Sequence, residues 1–261
     1  VTAEGLSEWF RAIVCGVNLL NNEHIGVSAE IAIADVFGVP VADAYRSRGV
    51  PIITSSIFPI VGDIFADKNI PLPIRHVAER QNPTDFMLAN GQTLSVKTNK
   101  QKLGKAAPQR IGQASSKTWF LLLAGRLGIA SVPLTYPEKV VLFKMIALTK
   151  IDKLLAVYWE NMFDCDYLLH IFNVVDKFDV VTGKPEYIVM KKTSGPVWDK
   201  AKVTFTKPTA ATWNESNTVK YDGVTIGEFQ VHNNRDNFKF RFNMAGITKL
   251  MQENRLTFSS E

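Results

Sequence analysis

Asp85 and Lys97 are the side chains whose types and spacing most directly suggest chemistry; they stand in the stretches Asn82-Pro83-Thr84-Asp85 and Ser95-Val96-Lys97. Cation-assisted hydrolysis of a phosphodiester needs a carboxylate to hold a divalent ion beside the phosphate. It also gains from a lysine that orients or activates the attacking water and offsets negative charge. An aspartate opening one strand and a lysine on the next meet these needs if both side chains turn to the same side.

Residues 85–98 have the pattern of a β-hairpin. Phe86 and Leu88 alternate with Asp85 and Met87, Asn90-Gly91 supplies a turn, and Leu94 and Val96 alternate with Ser95 and Lys97. The apolar set leaves Asp85, Met87, Ser95 and Lys97 together on the other face. Keeping both apolar halves on one core requires a three-residue loop or a bulge around residues 90–92. A strict two-residue Asn-Gly turn would instead pair 85 with 96 and send Lys97 to the opposite side. The alternation favours the first register.

An Asp near the start of one strand, followed on its neighbour by an acidic-x-Lys motif, is the pattern of the PD-(D/E)xK nucleases. Residues 80–100 resemble most nearly the type II restriction endonucleases of that superfamily, with Asp85, Ser95 and Lys97 at the three motif positions. Ser95 stands where the family usually has Glu or Asp; some restriction enzymes of this class carry Ser, Asn or Gln there and draw an acid from elsewhere. Glu30 is the first candidate for that acid. It is set among Ala29, Ile31, Ala32, Ile33, Ala34 and Val36, and a carboxylate buried there needs a partner, which a metal-bound network would supply. The family often takes such an acid from an early helix. Glu79 is the alternative.

The resemblance implies Mg²⁺-dependent, site-specific cleavage of double-stranded DNA by a homodimer, whose two-fold symmetry would match a roughly palindromic site. Asp85 would ligate the metal together with the Val96 carbonyl and Glu30. Lys97 would position or help deprotonate water, and Ser95 would take the usual acidic position without its charge.

A second group of residues suits base reading. Residues 227–242 carry Gln230, His232, Asn233, Asn234, Arg235, Lys239 and Arg241. Gln and Asn match adenine, Arg and Lys match guanine. Phe238, Phe240 and Phe242 alternate with Lys239 and Arg241, as in a strand with an aromatic inner and a cationic outer face. Lys100, Lys102 and Lys105 follow the Lys97 strand and are expected on backbone phosphate. Gln109 and Gln113, expected one helical turn apart, would contact phosphate or help position Lys97.

The charge map agrees with a polyanionic partner. Between Phe86 and Pro137 the chain has no Asp or Glu, whereas residues 138–179 are net acidic and residues 191–249 net basic. Two basic stretches flanking an acidic one suggest a polyanion surface assembled from separated segments. The overall charge of +5 permits such a partner without demanding it. Only Cys15 and Cys165 are present, with no Cys/His spacing for zinc and too few thiols for a disulfide scaffold. No signal-peptide pattern opens the sequence, and the apolar run at residues 119–134 is short and broken by Arg126, so a soluble, cytoplasmic protein without membrane partners is expected. P-loop, dinucleotide-glycine, HExxH and GxSxG signatures are lacking. A non-catalytic DNA-binding protein, with Ser95 marking a lost active site, and a repair or structure-specific nuclease are the competing readings.

The composition, 46% hydrophobic and 21% charged over 261 residues, suits one large globular unit. Apolar periodicity predicts helices over residues 6–20 and 27–37, and proline-rich residues 40–73 predict loops and short strands. Pro108 can open a helix running to about residue 127. Residues 138–176 read as largely helical, strands dominate after residue 180, and a last helix spans 243–255. The expected fold is α/β: a central mixed β-sheet flanked by helices over residues 1–180, and a β-rich recognition region over 181–261 within the same compact fold.

Overall fold

The computed structural model describes residues 20–78, 82–232 and 235–258. The expected helix over residues 6–20 (apart from Leu20), Cys15, Glu79, Asn233 and Asn234 lie outside the described residues.

Helix α1 (Asn22–Phe37) starts five residues before its expected position because Asn21 caps it, accepting the His24 amide hydrogen bond at 2.9 Å. Gly38, at φ 66, ends the helix in the left-handed conformation that glycine tolerates best. After the short α2 (Asp43–Arg46), α3 (Pro51–Asp67) replaces the loops and short strands expected over residues 40–73. Pro51 sits in the first turn, where its missing N–H is no loss. Ile53, Ile57, Val61, Ile64 and Phe65 then form a buried stripe at helical spacing against α1. That stripe outweighs the internal Pro59 and the β-branched residues.

The first sheet contains β1 (Pro73–His76), β2 (Phe86–Leu88) and β3 (Thr93–Thr98). Beyond the short strands β4 (Lys105–Ala106) and β5 (Gln113–Ser115), the chain returns to it as β6 (Tyr167–Phe172) and β7 (Glu186–Lys191). The order is β1-β2-β3-β6-β7, with β3 and β6 parallel and the other pairs antiparallel. Phe86, Leu88, Leu94 and Val96 pack on α1 and α3. In the β2–β3 hairpin Phe86 faces Leu94 and Met87 faces Thr93. Gly91 at φ 83 closes a loop of residues 89–91, with the Leu88 amide donating to Gln92 O at 2.8 Å. This is the odd-length loop that the hydrophobic alternation requires.

Two further expectations are corrected. The helix expected from Pro108 to about residue 127 is instead a turn, β5 and α4 (Ser116–Leu123). A Cβ on Gly112 would lie 2.3 Å from the Pro108 carbonyl oxygen, so the chain doubles back too tightly there for helix. Gln109 and Gln113 therefore sit on different elements. Residues 138–176 are helical only through α5 (Tyr136–Thr149) and α6 (Ile151–Met162). The apolar run Tyr167–Phe172 is β6, buried on both faces as a central strand must be.

The second sheet comprises β8 (Val203–Phe205), β9 (Ser216–Tyr221), β10 (Val224–His232) and β11 (Arg235–Asn243), with β4 and β5 both pairing with β11. It is thus completed by residues 105–115 and is not C-terminal alone. Helix α7 (Met244–Gln252) follows, capped by Asn243. Phe238, Phe240 and Phe242 are fully buried on its inner face. Phe143 of α5 stacks on Phe238 at 4.1 Å between centroids, and Tyr158 of α6 stacks on Phe240 at 4.3 Å. The same core takes in Leu168 and Met190 of the first sheet with Trp159 and Met162, so α6 sits where the two sheets meet. The architecture is α/β, with mixed sheet flanked by helices. Among the described residues no helix is long and apolar enough to cross a membrane.

Candidate active site

Asp85 precedes β2 and is buried, 8% exposed. Its backbone amide donates to Leu94 O at 2.9 Å, continuing the ladder one step beyond the strand. Its carboxylate then takes the next position: Oδ2 accepts the Val96 amide at 2.6 Å and the Ser95 hydroxyl at 3.2 Å. A residue's N–H and C=O leave the same edge of a strand, so the Val96 carbonyl lies on the edge that faces Asp85. Ser95 is fully buried and also accepts from Gln109 Nε2 at 3.0 Å.

Lys97 is two residues further along β3, on the Ser95 face, and pairs in register with His170 of β6. Burial pushes its ammonium pKa down, while the nearby Asp85, Cys165 and Glu30 pull it back up. The Asp85 carboxyl is pushed up to about 7, first by burial and then by the charge of Glu30. Lys97, the Val96 amide and the Ser95 hydroxyl act against that rise. His170 is fully buried; burial and then the Lys97 charge hold its pKa down at about 4. Its Nε2 bonds to Asn99 Oδ1 at 2.7 Å. Cys165 is a buried thiol pushed up to about 12 by burial, so it does not supply a thiolate here.

Glu30 lies in the middle of α1 and is 6% exposed. The partner that its burial demands comes from the protein: Tyr45 OH donates to Oε2 at 2.6 Å, and His76 Nε2 meets the same oxygen at 2.9 Å. Burial and Glu30 push the Tyr45 hydroxyl pKa up, which keeps it a donor. Glu30 and Asp85 come from different elements yet are close enough for their charges to interact.

This donor set fits a hard divalent cation. A buried Asp85 carboxyl raised by burial and by the charge of Glu30 is relieved by a positive ion, and the Val96 carbonyl adds a neutral oxygen. Among the described residues no three His, Cys, Asp or Glu converge as a metal cluster. Mg²⁺ does not need one, because it is commonly held by one or two carboxylates with water and substrate phosphate completing its shell.

Val96 and Lys97 face a cleft of about 360 Å³, lined also by Glu23, Lys105, Gln109, Gln113 and Arg241. Through Gln109 and Gln113 it continues into a hollow of about 700 Å³ that reaches Asn82, Arg110 and Thr118. Gln113 pairs with Lys239, and Gln230 lies opposite Lys239 on β10. The outer face of the second sheet thus borders the same cleft. Glu228 organises that face: Lys105 and Arg241 are both ion-paired to its Oε2, Arg241 at 3.2 Å, and Gln230 donates to Oε1 at 3.1 Å.

The remaining expected contact residues are less concentrated. Lys100 is ion-paired to Asp179 at 2.9 Å and is absent from the cleft lining, while Lys102 is exposed in the turn before β4. Arg235 is exposed at the start of β11, and the His232 carbonyl accepts from Tyr136 OH at 2.7 Å. Tyr45, His76, His170 and Glu228 were not singled out from the sequence as site residues. Their positions depend on contacts between elements far apart in the chain, which carry no local spacing signal.

Two buried acids thus stand behind a strand whose Val96 and Lys97 face a cleft with Lys105 and Arg241 in its lining. The chain is also 27% identical, over 240 residues, to the type II restriction enzyme CviAII of Paramecium bursaria Chlorella virus 1. The matched stretch takes in 90% of this chain and 62% of that protein, so the chain spans less than two thirds of its curated relative's length. No family model matches the chain, and no solved structure matches it.

Proposed function

We propose that this protein is a type II restriction endonuclease of the PD-(D/E)xK class, cutting double-stranded DNA at a specific site with Mg²⁺. The observation that carries the reading is the seating of the Asp85 carboxylate on the Ser95-Val96-Lys97 strand, beside Glu30. The similarity to a type II restriction enzyme supports the same conclusion.

In this reading Asp85, Glu30 and the Val96 carbonyl hold Mg²⁺, which when bound supplies Lewis-acid stabilisation of charge on the phosphate and a more acidic water. Lys97 would orient the attacking water and offset charge on the phosphate, and burial lowers its pKa from the ordinary lysine value. Ser95 and Gln109 hold Asp85 in place and carry no charge. Arg241, Lys239, Gln230 and Gln113 line the face along which base edges pass, and Lys105 and Lys102 meet phosphate. A homodimer follows from a two-fold symmetric site in DNA.

The test is incubation with a long, unmethylated viral DNA in Mg²⁺ and in EDTA. Discrete fragments formed only in Mg²⁺ are expected. A smear or nicking would move the reading to a structure-specific nuclease. Binding without cutting in any divalent metal would make the protein a DNA binder, with Ser95 marking a lost site.

A further inference from the structure

The Glu30 carboxylate is held by two side chains from two other elements, and both bonds end on one oxygen. Tyr45 of α2 donates to Oε2 at 2.6 Å, and His76 of β1 meets Oε2 at 2.9 Å. An anionic carboxylate only accepts, so the His76 Nε2 carries the proton in this contact. The His76 and Glu30 side chains are 4% and 8% exposed. The His76 ring is fixed edge-on between Tyr45 at 4.6 Å and Phe86 at 5.2 Å between centroids. Phe86 is the residue after Asp85, so the ring that orients Glu30 rests on the strand that presents the other acid.

Oε1 of Glu30 and Oδ1 of Asp85 have no protein hydrogen-bond partner among the described residues. Among the described residues each acid is therefore pinned through one oxygen, and its other oxygen is left without a hydrogen bond. The pins differ in origin. Asp85 is held by backbone and hydroxyl of the neighbouring strand, whereas Glu30 is held, among the described residues, by Tyr45 and His76.

We propose that Tyr45 and His76 are positioning residues for a divalent cation, acting through Glu30. They fix Glu30 so that its second oxygen completes the cation site begun by Asp85. Outer-shell donors of this kind typically change metal affinity by roughly 10–100-fold when removed. The inference rests on the cation-dependent reading of the Asp85 site, and the experiment separates the two.

The probe is Ca²⁺, titrated calorimetrically into the full chain without DNA, with thermal melting run on each variant to verify folding. Tyr45→Phe removes one hydroxyl and keeps the ring that packs on His76; it is expected to weaken Ca²⁺ binding roughly tenfold. His76→Ala should do at least as much, while His76→Gln, which retains a donor, should recover part of the loss. Glu30→Gln should fall with them, and Asp85→Asn should abolish binding. If Asp85→Asn and Glu30→Gln lose Ca²⁺ but Tyr45→Phe and His76→Ala bind as the unaltered chain does, the positioning role is wrong and the cation site stands. If His76→Gln binds no better than His76→Ala, a donor at 76 is not what matters, and that also overturns the role. If Asp85→Asn binds Ca²⁺ normally, or the unaltered chain binds none, the cation site itself is wrong and the inference falls with it.

Discussion

The Val96 amide donates to Asp85 Oδ2 at 2.6 Å, and the neighbouring Ser95 hydroxyl donates to the same oxygen at 3.2 Å. The hairpin therefore uses a side-chain carboxylate where its ladder would otherwise present a carbonyl. This fastens the acid to the strand that carries Lys97. A Glu or Asp at position 95 would add a third negative charge to a pair in which Asp85 is already pushed upward by burial and by Glu30; the hydroxyl instead offers Asp85 a hydrogen bond.

Ser95→Ala should accordingly be a modest lesion. One hydrogen bond contributes about 0.5–1.5 kcal/mol net, so single-turnover cleavage should slow roughly threefold to tenfold, and the same cation should be required. A loss as complete as that of Asp85→Asn would mean that Ser95 takes part in the reaction directly.

The pH dependence of stability should show two opposed contributions. Asp85 is raised from its ordinary 3.8 to about 7 in the folded chain, so the folded state binds the proton more tightly. Its contribution is full below 3.8 and is lost as pH rises towards 7. His170 is depressed from 6.5 to about 4, so its contribution is present above 6.5 and is lost as pH falls towards 4. Thermal melting in EDTA from pH 4 to 8 should therefore be flatter for the unaltered protein than for either variant. Asp85→Asn should leave a melting temperature that drops towards pH 4, and His170→Gln one that drops towards pH 7. Identical profiles for all three would contradict the burial assigned to these groups.

The two cationic sets should respond differently to substitution. Lys102 is exposed and is expected on phosphate, so Lys102→Ala should weaken binding equally to all sequences and reduce the salt slope of log K by about 1. Arg235, exposed at the start of β11 and paired with His232, is expected on a base edge. Arg235→Ala should narrow the gap between cognate and non-cognate DNA by roughly 1–3 kcal/mol. Competition binding at several salt concentrations distinguishes these outcomes, and an unchanged gap would remove Arg235 from the reading surface.

The hairpin was legible in the sequence because its information is local: alternation at Phe86, Leu88, Leu94 and Val96, with Asn90-Gly91 between, fixes both register and face. The aromatic face of β11 was legible for the same reason. Helix α3 was not, because Pro51 and Pro59 suggested interruption, whereas Pro51 occupies a tolerated first-turn position and the stripe from Ile53 to Phe65 keeps helical period. Strand β6 was absorbed into a helix because a strand covered on both faces loses its alternation. Glu30 stood out as a charge among apolar residues, but its partners Tyr45 and His76 are brought to it only by packing of α2 and β1 around α1. The same holds for Gln109, which reaches Ser95 because Gly112 allows the chain to turn back.

Whether Asp85 and Lys97 perform the hydrolysis is decided by cleavage of a mapped DNA site by the unaltered protein, Asp85→Asn and Lys97→Met. The assay is single-turnover in Mg²⁺, with DNA binding measured in parallel in Ca²⁺. Both variants should fold and bind the site but cut it at least about a hundredfold more slowly, the scale of a lost acid–base group. Cutting at the unaltered rate by either variant would contradict that role.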